Sequence, residues 1–260
     1  MEFRPLLSKY GPGLPLMIFL ISIFLMAGLF GNAQYAMRPL SDLVDTENPA
    51  WPLVKGWIDS AKNKVEVLPV GTAKGLALYK TQVTTHSPMG SVIYYTGGLL
   101  VDHGWIRILG SGSETMKRTL PDWNKGKSIQ EFSEKPSFLL VADDVLGGFF
   151  MINGGALGND PGKMYYCSPF TLTYEPLAIS YTQFLDFCFN GDLNAFYKGY
   201  RWAGWEKDVQ KLGADNVFSF YPFLWTKEGQ DMSKPVRTTV TAGEQYDLMM
   251  ISRKQLGIGN

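Results

Sequence analysis

Three groups of residues carry atoms that could do chemistry: the serines of Gly110-Ser111-Gly112-Ser113, the histidines His86 and His103, and the adjacent carboxylates Asp143-Asp144. A nucleophilic serine needs the Gly-x-Ser-x-Gly turn that lifts its hydroxyl off a strand end, and the Gly-Ser-Gly-Ser run lacks that spacing. It reads as a polar turn. His86 and His103, with Asp102, could contribute ligands to zinc, yet neither a His-Glu-x-x-His helix nor paired Cys-x-x-Cys motifs accompany them, and neither stands in a triad context. Asp143 and Asp144 could hold a hard cation or move a proton, but adjacent residues at a strand end point in different directions, and turn formation is their favoured role. The Gly-rich segment Gly147 to Gly158 lacks both the Lys-Ser/Thr of a phosphate loop and the dinucleotide fingerprint. No catalytic residue, metal ligand or cofactor is assigned, and the chain is not expected to be an enzyme.

The elements that must position such groups are clearest between Phe138 and Tyr197. Phe138 to Ala142 is an apolar run ended by Asp143 and Asp144, and Phe149 to Asn153 lies between two Gly-Gly pairs, so the two predict neighbouring strands. A third strand is expected at Lys163 to Ser168, after a loop holding Gly158, Asn159, Asp160, Pro161 and Gly162, and a fourth at Thr171 to Tyr174. The period then changes. Tyr181, Phe184, Leu185 and Cys188 share one helical face, with Ser180 and Gln183 as a capping box and Gly191 as the stop.

Upstream, Asn48 followed by Pro49 predicts a helix start, and Trp51, Val54, Trp57, Ile58 and Ala61 trace its apolar face. Ala77 to Val83 fits a short helix or a strand. Ser91 to Tyr95, Leu99 to Val101 and Trp105 to Leu109 read as a three-strand meander turning at Gly97-Gly98 and Asp102-His103-Gly104. The polar segment Ser111 to Glu134 leaves open whether the strands around it form one sheet or two lobes. Downstream, Asp192 caps a helix from Leu193 to about Tyr200, Trp205 to Leu212 is another ended by Gly213, and Pro222 confines the aromatic run Phe218 to Trp225 to a sheet edge or an extended docking segment. Residues 226–260 read as a polar tail, loosely held until an apolar return at Leu248 to Ile251. The expected fold class is α+β: a largely antiparallel sheet or sheets with packed amphipathic helices, in a single domain over 37–225.

The succession Gly-Gly-Phe-Phe-Met-Ile-Asn-Gly-Gly, a Gly-rich loop, Lys-Met-Tyr-Tyr, a further strand and Tyr-Thr-Gln-Phe-Leu resembles the core of the SUKH superfamily, which comprises bacterial immunity proteins and fungal cell-wall regulators. The likeness covers residues 138–197. Over Met37 to Trp225, with NPAWPLVKGWID, TGGLLVDHGWIRILGSG and PFLWTKEG, the chain also looks like a family of uncharacterised bacterial proteins sharing that core. The superfamily resemblance implies a non-catalytic module that binds a partner protein, for immunity proteins a toxin. Loops at sheet ends carry variable function on a fixed scaffold, so Asp143, Asp144, Asn159 and Asp160 become the candidate exposed partner contacts.

Leu14 to Phe30 is an uncharged apolar run after Arg4 and Lys9. A spanning helix needs ~20 such residues to cross ~30 Å of hydrocarbon. Small residues at Gly31 and Ala33 suit cleavage before Gln34, so residues 1–33 are expected to be a signal peptide, with an uncleaved membrane anchor as the alternative. The expected location is outside the cytoplasm, periplasmic or secreted, and this segment is the expected membrane contact. A start at Met37 would instead make the protein cytoplasmic. The chain has 24 basic and 24 acidic side chains, and removing residues 1–33 leaves it within one charge of neutral. Nonspecific nucleic-acid binding, which needs a basic surface, is not expected. Cys167 and Cys188 are the two cysteines. A disulfide between them would stabilise by roughly 3 kcal/mol in the chain-entropy model, but Cys188 lies on an apolar helix face, which favours two buried thiols.

Two functional classes follow. The first is an exported SUKH-like, immunity-type binding protein. The second is an envelope or glycan-binding protein, in which some of the 7 Trp and 13 Tyr stack on sugar faces rather than fill the core. A hydrolase is a distant third and would need a cleft gathering His86, His103 and remote carboxylates.

Overall fold

The computed structural model describes residues 36–233 and 235–259. It opens on two helices, α1 (Leu40–Leu43) and α2 (Trp51–Asp59). Ala50, not Asn48, is the N-cap of α2, because Asp45 already binds the backbone N–H groups of Glu47 and Asn48 in a turn of its own. Val54 is fully buried, and Trp51, Trp57, Ile58 and Ala61 pack against the core as their spacing predicts. Next come β1 (Val65–Leu68), α3 (Lys74–Thr81) and α4 (Pro88–Tyr95). Helix α4 stands where the sequence suggests a strand. The Ser87 hydroxyl accepts the Gly90 N–H at 3.1 Å and Pro88 supplies a helical φ in the first turn. Gly90 to Ile93 are all buried, so the helix shows no polar stripe to betray its period.

β2 (Gly98–Val101) and β3 (Ile106–Leu109) form a hairpin about Asp102, His103 and Gly104, whose φ values are 51, 62 and 88°. After α5 (Leu120–Asn124) come β4 (Phe138–Asp144), β5 (Phe149–Asn153), β6 (Met164–Cys167) and β7 (Tyr174–Pro176), the last slightly later than expected. β1 to β7 form one antiparallel seven-stranded sheet in which spatial order is sequence order. β3 pairs directly with β4, so the polar segment between them does not divide the sheet. A register shift between Leu140 and Ala142 marks a bulge in β4. β3 and β6 are buried at every position, so these two strands are covered on both faces.

α6 (Tyr181–Asn190) carries the predicted capping box: Ser180 Oγ accepts the Gln183 N–H at 3.3 Å, and Gln183 Oε1 accepts the Ser180 N–H at 2.9 Å. Asn63 closes its other end, donating its backbone N–H to Phe189 O and its amide to Cys188 O and Gly191 O at 2.9 to 3.0 Å. α7 (Leu193–Phe196), capped by Asp192, is shorter than expected, and α8 (Trp205–Leu212) ends at Gly213 as expected. β8 (Asn216–Tyr221) and β9 (Val236–Thr241) make a separate antiparallel ribbon against which α9 (Ala242–Gln255) packs.

Residues 226–260 are thus not a loose tail. Thr241 and Glu244 form a second capping box, and α9 buries Ala242, Gln245, Tyr246, Met249, Ser252 and Arg253. Half of that face is polar, which hides its helical period when only apolar residues are counted. Arg253 donates to Leu172 O and, at 2.9 Å, to Gly259 O. The expected signal peptide or anchor at 1–33 lies outside the described residues; among the described residues, no helix is long and apolar enough to cross a membrane. Met249→Ala should lower unfolding free energy in urea by about 2–5 kcal/mol through loss of buried volume. An unchanged midpoint would mean that α9 contributes nothing to the core.

Candidate functional site

Asp143 and Asp144, expected to be exposed, are 1% and 0% accessible. β4 runs on through both of them and sets Asp143 opposite Arg107 of β3. Arg107 Nε donates to Asp143 Oδ1 at 2.5 Å, and Arg118 Nη1 donates to Oδ2. Arg118 Nε also reaches Asp215 at 3.1 Å. The remaining donors meet carbonyls: Arg107 those of Asn216 at 3.0 Å and Asp144 at 3.2 Å, Arg118 that of Ala214 at 2.9 Å. Two cations and two anions thereby tie the sheet to the start of β8, with the buried charges paired and hydrogen-bonded.

Asp144 accepts four hydrogen bonds, from Leu146 N and Gly148 N at 3.0 Å, Tyr166 Oη at 2.7 Å and Tyr197 Oη at 3.0 Å. Burial outweighs those donors and raises its carboxyl to about 6. Both tyrosine hydroxyls are held well above their usual range, first by burial and then by the carboxylate. The Tyr197 ring reaches an open depression shared with Arg201, Trp202 and Trp205. There the aromatic faces are already covered. The Arg201 guanidinium lies 4.3 Å from the Trp205 centroid and 4.8 Å from that of Trp105, and Arg237 lies 4.1 Å from that of Trp202.

The other candidates disperse. Ser111 is buried and donates to Thr96 O at 2.8 Å. His86 is exposed beside Asn48 O, and His103 packs edge-on against Trp205 from the β2–β3 turn. Cys167 in β6 and Cys188 in α6 are buried free thiols; burial pushes the first up to about 12 and the second well above its usual range. Among the described residues, no three His, Cys, Asp or Glu side chains gather as a metal site.

A different feature is built for contact. A half-open pocket of about 540 Å³ lies beside α3, α5 and the β4–β5 hairpin. Val83, Met89, Leu120, Phe132, Leu139 and Ile152 give it apolar walls, and Arg38, Lys80, Glu134 and Lys135 also border it. Three of its hydrogen-bonding side chains are already engaged: Thr81 with Ala77 O, Gln82 with Arg38 N and Tyr79 O, and Asn124 with the backbones of Leu120 and Leu140. Gly154 borders the pocket where a Cβ would collide with the Pro136 carbonyl, and the loop to Gly162 departs from there. In that loop Asn159 is exposed, whereas Asp160 is half-buried and accepts from Tyr165 Oη at 2.6 Å and Asn153 Nδ2 at 3.0 Å.

The chain matches, over residues 40–245, the profile of a family described as protein of unknown function DUF2625. It belongs to that family. An uncharacterised protein of Haemophilus influenzae is 49% identical over 189 residues, 72% of this chain and 83% of its own length. The Escherichia coli K12 protein YbfG is 43% identical over 214 residues, 82% of this chain and 97% of its own. No solved structure matches the chain. The DUF2625 match runs past Trp225 through β9 and into α9, in keeping with the ordered C-terminal region.

Sequence reasoning passed over Arg107, although a lone cation inside the apolar strand Ile-Arg-Ile-Leu is a signal for a buried partner. Nothing in the sequence marked the pocket, whose walls come from separate elements. Removing one member of the buried pairing by Arg107→Ala should destabilise by about 3–5 kcal/mol in denaturant melts; a change below 1 kcal/mol would mean that the tie is dispensable. Asp144 has a second signature. Its carboxyl is raised from ~3.9 in the unfolded chain to about 6 in the fold, so the folded state holds the extra proton and stability attributable to this group falls as pH rises from about 4 to 6, by up to about 3 kcal/mol. Subtracting the pH–stability curve of Asp144→Asn from that of the native chain should isolate this slope. A flat difference would show that Asp144 is ionised throughout.

Proposed function

We propose that this DUF2625 protein is an exported, non-catalytic protein-binding module of the SUKH-like, immunity type, and that the pocket beside β4 and β5 receives apolar side chains of its partner, with a toxin as the leading candidate. The observation that carries this reading is the character of the pocket. It has apolar walls, internally engaged Thr81, Gln82 and Asn124 side chains, and charges at its border. A surface of this kind gains roughly 25 cal/mol for each Å² of apolar area it removes from water. Its volume falls within the ~300–1,000 Å³ typical of binding sites. Lys80 is already paired with Asp122 at 2.7 Å, and Arg38 and Lys135 against the single Glu134 favour a partner with an acidic rim.

The succession of β4 to β7 and the capped α6 supports the SUKH-like part, since it reproduces the order of elements on which the resemblance rests. Asn159, exposed on the loop that leaves the pocket border, is the polar contact retained from the sequence reading. Export rests on the apolar run at Leu14 to Phe30. A glycan-binding role ranks second, because a stacking platform needs a free ring face and Trp105, Trp202 and Trp205 give theirs to arginines.

Cross-linking in intact cells should capture a partner protein with the native chain. Phe132→Asp should reduce that capture at least tenfold while leaving the melting temperature of this half-buried site within a few degrees of native. Undiminished capture with Phe132→Asp would exclude the pocket, and absence of a protein partner would exclude the binding reading. N-terminal sequencing of the fractionated protein should find an end near Gln34 outside the cytoplasm; a cytoplasmic product starting at Met37 would remove export.

A further inference from the structure

We propose that β9 is an assembly edge through which two copies of this chain pair, antiparallel about Thr238, to make a continuous four-stranded sheet in the order β8, β9, β9, β8. The argument starts from the register. Asn216 to Tyr221 lie opposite Thr241 to Val236, and Ala242 N–H donates to Asp215 O at the end of the ladder. The alternation of an antiparallel pair then directs the backbone groups of Val236, Thr238 and Val240 to β8 and those of Arg237 and Thr239 away from it. The opposite edge of the ribbon is taken: Phe218 N–H donates to Val145 O at 2.9 Å, and Asn216 O accepts from Arg107 at 3.0 Å. Among the described residues, no hydrogen bond reaches the outward backbone groups of Arg237 or Thr239. β9 has no proline, lysine or bulge within it, and Arg237 is its one charged side chain.

The occupant follows from the symmetry of those free groups about Thr238. Antiparallel pairing centred there sets Arg237 opposite Thr239 of the second copy and exchanges four N–H···O bonds. It also sets Thr238 opposite Thr238 and Val236 opposite Val240. Tyr221 and Val236, at 72% and 67%, are the most exposed large apolar side chains among the described residues, and they face each other across the ribbon. Pairing prolongs their row into Tyr221, Val236, then Val240 and Val217 of the second copy, an apolar run of cross-strand neighbours. The charges fit as well. Arg237 is the one charged residue of β9, so it meets a threonine rather than a like charge. Within its own chain Arg237 lies 4.1 Å from the Trp202 ring centroid and 3.8 Å from Asp208, beside the depression that Thr239 also lines, so its charge is already met on that face. Two six-residue strands bury less than the ~1,200 Å² of a standard interface, so the dimer is weak and concentration-dependent.

Thr238→Cys in the full-length chain tests this. Cα atoms of a non-hydrogen-bonded antiparallel pair lie ~4.5 Å apart, within the ~4.4–6.8 Å that a disulfide spans. Mild oxidation should yield a covalent dimer, whereas Lys227→Cys on the exposed loop should not. Adding Thr239→Pro removes an outward N–H and no bond to β8, and should lower cross-linking at least tenfold and return the sedimenting species to monomer. Should that variant not fold, Val236→Lys in the same background should give the same loss. A Thr238→Cys chain that stays monomeric on oxidation, equal cross-linking by Lys227→Cys, or undiminished cross-linking in the folded edge variants would overturn the proposal.

Discussion

The buried pairing of Arg107 and Arg118 with Asp143 and Asp215 is the constraint on which the remaining structure depends. Its members come from β3, the loop before α5, β4 and the turn before β8, so four chain segments must arrive together before all of the charges are satisfied. Isolated in a low-dielectric interior each ion would carry a penalty of several kcal/mol, and the network offsets this only when complete. Desolvation therefore opposes much of the Coulombic gain, and the arrangement is weak evidence of net stability. It fixes where the β8–β9 ribbon and α9 sit against the sheet, and packing alone would leave that placement less defined. The same geometry explains why the Asp-Asp pair at the end of β4 is turned inward: one side chain faces Arg107 and Arg118, and the other ends in Tyr166 and Tyr197.

Polar and apolar groups are thus distributed in an unusual way. The Arg107 and Asp143 side chains lie buried in the body of the fold with Arg118 and Asp215 partly covered beside them, while apolar surface is left open in the pocket by β4 and β5 and at Tyr221 and Val236 on the ribbon. A chain that needed only to stay folded would gain by the reverse allocation. The two open apolar sites lie on different elements, one bordered by the sheet and its helices and the other on the ribbon. Occupation of one does not sterically require vacancy of the other.

Much of the frame was legible in the residues, for reasons that differ by element. β4, β5 and β6 showed because glycine pairs and the Asn159-Asp160-Pro161-Gly162 turn punctuate them, and α6 showed because Ser180 and Gln183 cap a clean apolar stripe. α4 was read as a strand because it is buried on several sides, and α9 was missed because Gln245, Ser252 and Arg253 occupy its buried face. β1 escaped notice because an edge strand of four residues, two of them exposed, leaves little pattern. For the sites the limit is different. Burial of Asp143 depends on Arg118 and Asp215, remote in sequence, and the pocket exists only when α3, α5 and β5 are brought together. Single-element periodicity carries no record of either.

The sequential strand order has a bearing on how the chain is made. Every neighbour in the seven-stranded sheet is also the next strand in the chain, so each pairing can close on residues already synthesised, and since closure entropy grows slowly with loop length the helix-bearing connections before β2 and β4 add little to its cost. Completion is reserved for two distant joins. Asn63 must wait for Phe189 and Gly191, and Arg107 must wait for Asn216. Until both segments have emerged, Asn63 lacks its carbonyl acceptors and Arg107, though already paired with Asp143 of the neighbouring strand, lacks that of Asn216, so the flanks of the sheet are fastened only when the last third of the chain arrives.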